Sequence, residues 1–139
     1  MRVVIMGCGR TGSLLAGMLD AGGHNATVID WDPGALDRLP DNFSGQTIVG
    51  NALDQDVLRH AGVERAETFV ATTSGDNRNI VAAEIAQHAF RVKRVVVRIK
   101  DPSRAQFFRE KGMLVDCRTT AGTSVLLDMI AEQLSQQPA

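Results

Sequence analysis

The chain has 139 residues, 44% of them hydrophobic and 22% charged, with a formal net charge of −1. A chain of this length makes one domain burying roughly 65–70% of its unfolded surface, and it is too apolar and too weakly charged for intrinsic disorder. Its apolar runs stop far short of the ~20 residues of a membrane span and no secretory signal opens it, so the expected setting is cytoplasmic, with no direct membrane insertion.

Taken in chain order, the hydrophobic pattern alternates between short continuous runs and helical periods. Residues 2–6 read as a buried parallel strand. Leu14, Leu15, Met18 and Leu19 then recur at helical spacing until Gly22 and Gly23 end the helix. A second strand is expected over 26–29, followed by a short helix that Asp32 caps and Pro33 starts. A third strand covers 47–49 and a helix 54–60, closed by Gly62. The fourth strand covers 68–71, with a long helix over 77–89. The fifth covers 94–99 with a helix over 102–111, and the sixth covers 114–117. A last amphipathic helix over 122–134 carries Val125, Leu126, Met129, Ile130 and Leu134 on one side, ahead of a polar tail from Gln133 to Ala139. Six strand–helix units without a linker or repeat predict an α/β, Rossmann-like, doubly wound sheet of about six parallel strands with helices on both faces. Ligands bind such sheets at the carboxyl ends of the strands, where strand order reverses.

Two cysteines, Cys8 and Cys117, and three dispersed histidines give no metal site, and the absence of tyrosine excludes mechanisms that need one. Charge is uneven: residues 1–90 hold six basic and eleven acidic groups, whereas 91–111 hold eight basic and two acidic. The basic block reads as a solvated helix face beside a strand. Without interleaved aromatic residues it does not suggest nucleic acid.

After the first strand comes Gly7-Cys8-Gly9-Arg10-Thr11-Gly12, a G-x-G-x-x-G between a strand and an amphipathic helix. In that setting Gly7 permits the tight turn, Gly9 lets a pyrophosphate approach the backbone, and Gly12 lets helix and strand pack closely. The helix N-terminus offers free N–H groups to phosphate. Asp30 ends the second strand 18 residues past Gly12. Its carboxylate suits ribose hydroxyls and repels a 2′-phosphate, which disfavours NADP. With Asp32 as the helix cap, Asp30 is expected to be free for ligand, and Trp31 beside it joins the binding set as a reporter. Arg10 can clamp a phosphate. Arg98 either binds phosphate or pairs with Asp101, and the residues alone leave that open. Cys8 within the turn is not read as reactive; a redox-sensing role is the alternative, since a helix N-terminus lowers a thiol pKa.

These stretches resemble the RCK/KTN (TrkA-N) family, the nucleotide-binding regulatory domain of bacterial potassium channels and transporters. So do Val28-Ile29-Asp30-Trp31-Asp32, Gly50-Asn51-Ala52, Leu58-x-x-Ala61-Gly62-Val63, Val70-Ala71-Thr72-Thr73-x-x-Asp76-x-x-Asn79, and Arg98 with Asp101-Pro102. The resemblance covers nearly the whole chain as a single domain, 1–139, and it implies several things. The ligand is NAD(H) or ATP, ADP or AMP. Arg10 and Thr11 hold phosphates, and Asp30 holds the adenosine ribose. Asn51 and Ala52 flank the adenine; the family often has aspartate where Asn51 stands. Thr73 and Ser74 line the pocket, and Arg98 faces the phosphates or the nicotinamide half. It also implies a homodimer or higher homo-oligomer docked on a membrane potassium channel or transporter subunit at the inner membrane, with no catalytic residues. Asp76 and Asn79 read more simply as caps of the helix they begin. The last helix either crosses a dimer interface, as the resemblance implies, or packs on its own sheet. The family's smaller C-terminal lobe is not expected within this chain. The alternatives are an NAD-dependent oxidoreductase domain and a nucleotide sensor with a non-transport partner.

Overall fold

The computed structural model describes residues 1–136 and Pro138; Gln137 and Ala139, in the polar tail, lie outside the described residues. Six strands form one parallel sheet: β1 (Arg2–Met6), β2 (Asn25–Asp30), β3 (Gln46–Val49), β4 (Thr68–Ala71), β5 (Arg94–Arg98) and β6 (Leu114–Asp116). Their order is β3-β2-β1-β4-β5-β6. The chain therefore winds outward from β1 in one direction and from β4 in the other, and the crevice between their carboxyl ends is the switch point.

Alternation along each strand builds two cores. Val3, Ile5, Val28 and Val70 face one side, where α1 (Arg10–Ala21) brings Leu15, Ala16 and Leu19. The 3-10 turn Pro33–Arg38 adds Ala35 and Leu36 to that side. Val4, Met6, Phe69, Ala71, Val95 and Val97 face the other, covered by α2 (Gln55–His60), α3 (Asp76–Glu84) and α4 (Pro102–Glu110). Each fully buried aliphatic or aromatic side chain contributes about 1.5–3 kcal/mol, so this alternation fixes the register. Local caps set the helix starts. Asp32, Asp54 and Asp101 accept from Gly34 N, Asp56 N and Ser103 N at 2.8–3.0 Å, and Pro33 and Pro102 follow their caps.

Two expectations need correction. The long helix after β4 is α-helical only to Glu84; Ile85–Ala89 is a π turn, with Phe90 N donating to Ile85 O, and Arg91 ends it at φ 56°. The last helix, α5 (Arg118–Ser135), starts four residues before Gly122. Thr119 and Thr120 hydroxyls bond to the carbonyls of Lys100 and Cys117, and a Cβ at Gly122 would meet nothing, so glycine sits harmlessly inside the helix. Of the two placements left open for the last helix, packing on its own sheet is not the one seen for α5. It has no buried residue, and Val125, Leu126, Leu127, Met129, Ile130 and Leu134 are each more than half exposed. The basic block also divides: Arg91, Lys93, Arg94, Arg109 and Lys111 face solvent, whereas Arg98 turns into the crevice. Among the described residues, no helix is long and apolar enough to cross a membrane.

Candidate functional site

A cavity of about 470 Å³ opens at the switch point, lined by residues at or just past the carboxyl ends of the strands. Its floor is the glycine turn. Gly7 takes φ 104°, and a Cβ there would press on the Thr72 carbonyl; its N–H donates to Ile29 O at 2.8 Å, tying the turn to β2. A Cβ on Gly12 would overlap the Gly7 carbonyl oxygen, so glycine here lets α1 lie against the turn. Gly9 differs: a Cβ would meet nothing within 4 Å, so the backbone is bare towards the cavity. Gly9 caps α1 without a side-chain hydrogen bond, and the first intrahelical bond comes from Ser13 N. The amides of Arg10 and Thr11 are therefore left for a ligand, at the positive end of the helix dipole.

Asp30 stands beside the turn, and here the structure corrects the sequence reading. The carboxylate is not free: Oδ2 accepts from Cys8 N at 2.8 Å and Oδ1 from Asp32 N at 2.9 Å. It pins the glycine turn to the end of β2. Since a carboxylate offers about four acceptor sites, it keeps capacity for two hydroxyls. The redox-sensing alternative for Cys8 loses its basis. Burial pushes its thiol pKa up, Asp30 pushes it further, and Arg38 opposes only in part, so the helix N-terminus does not activate it.

The structure brings Gly7, Cys8, Gly9, Arg10, Thr11, Asp30, Trp31, Ala52, Thr73, Ser74 and Arg98 into one lining. Gly12 lies behind the turn, outside it. Asn51 is also outside: it is exposed, and its Oδ1 accepts from Leu53 N at 3.0 Å, closing its own loop. Arg98 pairs with Asp116 of β6, Nε to Oδ2 at 3.4 Å, and not with Asp101, whose carboxylate caps α4 and whose pKa the Ser103 hydrogen bonds depress. Asp76 and Asn79 do not cap α3, whose N-cap is Gly75. Asp76 accepts from Lys100 N at 2.9 Å. Asn79 is wholly buried and bonds to Thr73 N, Thr73 Oγ1, Thr73 O and Arg98 O at 2.6–3.0 Å, fixing two cavity residues at once.

Sequence reasoning missed Arg38, Arg78 and Arg118. Arg38 donates to Cys8 O, the Arg78 guanidinium lies 5.5 Å from the centre of the exposed Trp31 ring, and Arg118 donates to Thr11 Oγ1. Arg118 was recoverable, because it lies two residues past β6 and strand ends mark the ligand side. Among the described residues, no histidine lines the cavity and no group of three His, Cys, Asp or Glu could hold a metal.

Comparison with known proteins follows the same outline. The family model of the TrkA-N domain matches residues 3–116. The Trk system potassium uptake protein TrkA of Streptomyces coelicolor is 45% identical over 142 residues, spanning 99% of this chain and 64% of that protein. The Shewanella denitrificans Kef C-terminal domain in its AMP-bound form superposes with a TM-score of 0.79 at 23% identity, over 99% of this chain and 83% of that one. The GsuK channel bound to NAD gives 0.80 at 24%, over 96% of this chain and 24% of that one. At these identities the two structures speak for the fold, and the chain spans about two thirds or less of its curated relatives.

Proposed function

The chain belongs to the TrkA-N domain family, and from that premise we propose that it is a regulatory domain that binds an adenine nucleotide, NAD(H) or AMP, ADP or ATP, and through it controls a potassium transport protein. The observation that carries this reading is the convergence of Asp30, the free α1 amides and the bare Gly9 backbone on one cavity at the switch point. Ribose on Asp30 and phosphate on the α1 amides use the two features together. The domain is a binding module and not an enzyme. Among the described residues, the ionisable groups lining the cavity are arginines, Cys8, whose thiol pKa burial raises, and two aspartates engaged with backbone amides.

Coupling to a pore needs two assembly states that bind the ligand unequally. The uncovered apolar side of α5 supports a homodimer as the unit that changes. Leu14 and Met18 of α1 and Leu114 of β6 are also more than half exposed, and Val96 of β5, on the α1 side of the sheet, is only partly buried. Two copies exchanging α5 would bury both surfaces, at about 1 kcal/mol or more per side chain removed from water. Such a dimer would dock on a channel or transporter subunit at the cytoplasmic side of the membrane.

The test is the emission of Trp31, the single tryptophan, titrated with AMP, ADP, ATP, NAD and NADH. Saturable change with at least one of them, lost in Asp30→Ala while circular dichroism stays native, is expected. A response that survives Asp30→Ala unchanged would overturn the site.

A further inference from the structure

A second cavity, of about 320 Å³, lies at the opposite end of the sheet, at the amino ends of β1, β2 and β3. A mismatch of lengths opens it. On this side of the sheet Val4, Ile29 and Ile48 belong to the core that α2 helps to cover. But α2 has six residues, about 9 Å of helix, against six residues of β2, about 20 Å of strand. The helix ends at His60, and the chain turns away at Gly62, φ 80°. Where the cover stops, the same side of the strands turns polar: Arg2, Asn25, Thr27 and Gln46 stand in register across β1, β2 and β3. His60 and Arg65 line the cavity from the helix side.

The fold makes no use of these six side chains. Among the described residues none of them has a hydrogen bond or an ion pair within the chain, including the hydroxyl of Thr27, which is buried. Arg59, Arg98 and Arg118 each pair with a carboxylate, whereas Arg2 and Arg65 do not. The nearest acids in sequence are turned to other tasks. Glu64 pairs with Arg59 at 3.5 Å, and Glu67 gives its N–H to Arg2 O at 3.0 Å. Among the described residues no carboxylate lines the cavity, so its two guanidiniums stand uncompensated.

We propose that this cavity binds a short di- or tricarboxylate through the guanidiniums of Arg2 and Arg65. A guanidinium fork pairs with a carboxylate by two parallel hydrogen bonds. The side-chain amides of Asn25 and Gln46 add donors, and a neutral imidazole always carries one N–H, so His60 adds another. The strand donors spread over two interstrand steps of about 4.8 Å each. That is wider than a single phosphate and suits a ligand charged at both ends. At the ~30 Å³ that one water occupies in the liquid, the volume has room for roughly ten non-hydrogen atoms, the size of a four- to six-carbon acid. The site is separate from the nucleotide cavity, since the whole length of the strands lies between them.

Calorimetric titration of the purified chain with succinate, citrate and inorganic phosphate, at an ionic strength held by sodium chloride, tests this, and amide chemical shifts locate the binding. At least one of the two carboxylates is expected to saturate with a Kd below about 1 mM and about tenfold tighter than phosphate. It should shift the amides of Arg2, Asn25, Gln46, Gly62 and Arg65. Arg2→Gln and Arg65→Gln, both at exposed residues, should keep native thermal unfolding and each weaken that binding about tenfold, the loss of one charge-assisted pair. Phosphate binding as tightly as the carboxylates, shifts centred instead on Gly9 and Arg10, a Kd unchanged in both variants, or no saturation by either carboxylate overturns the proposal.

Discussion

Asn79 is where the fold and the site depend on one side chain, and its replacement gives the sharpest stability prediction. The amide is fully buried; Oδ1 accepts from Thr73 N and Oγ1, and Nδ2 donates to Thr73 O and Arg98 O. Asn79→Ala leaves Thr73 N, Thr73 O and Arg98 O without their partner. Each buried polar group left unsatisfied costs about 1–3 kcal/mol. Water entering the space offsets part of that, so a loss of about 3 kcal/mol is expected, against a total of roughly 7–20 kcal/mol for a chain this long. In urea the midpoint should fall by about 1.5 M for a slope near 2 kcal/mol/M. Asn79→Asp keeps the acceptor but places a carboxylate against two carbonyl oxygens, so it should be worse than alanine at pH 7. Burial raises the pKa of such a carboxylate, so its deficit relative to the native chain should shrink as pH falls and the protonated acid donates to one carbonyl. A loss below about 1 kcal/mol for Asn79→Ala, or no pH dependence of the Asn79→Asp deficit, would refute the reasoning.

Further outcomes follow from the same geometry. Gly9→Ala should leave the unfolding free energy within about 0.5–1 kcal/mol of native, the usual span of a glycine–alanine exchange, while weakening nucleotide binding. Gly12→Ala should destabilise by about 1–3 kcal/mol or more through overpacking; equal midpoints for the two variants would contradict the roles given to these glycines. Arg91→Gly, which relieves a left-handed residue, should stabilise by about 1 kcal/mol, read as a raised Tm. Ser44 hydrogen bonds depress the Asp20 pKa, as Ser103 hydrogen bonds do for Asp101. The stability these aspartates contribute is present above the ordinary carboxylate pKa and is lost as pH falls through their lowered values. Ser44→Ala should therefore flatten the acid limb of the urea midpoint against pH, and an unchanged limb would count against the pairing.

What was legible in the sequence was local. A continuous apolar run, three glycines and an amphipathic repeat specify β1, its turn and α1 within twenty residues, and Asp32 and Asp101 announce their caps by the prolines that follow. What was not legible depends on which strand lies beside which. Arg98 was offered Asp101, three residues away, but Asp101 has nearer donors in Ser103 N and Oγ, while the parallel register sets Asp116 directly opposite Arg98. Asn79 looked like a cap from its position in the first turn of α3, and only the packing of α3 on β4 and β5 turns it towards Thr73 and Arg98. Asp30 was recognised as a ribose acceptor but not as the clamp of the glycine turn, because its bond to Cys8 N spans 22 residues. The start of α5 was missed because Gly122 looked like a boundary, whereas an exposed glycine inside a helix costs only about 1 kcal/mol.

The central claim, that an adenine nucleotide lies across the switch point with its phosphate on the start of α1, is tested most directly by amide chemical shifts of the isotopically labelled chain as AMP is added. The account predicts saturable shifts concentrated at Cys8, Gly9, Arg10, Thr11, Trp31 and Thr73, absent in Asp30→Ala. Shifts centred away from these residues, or unchanged by that substitution, would contradict it.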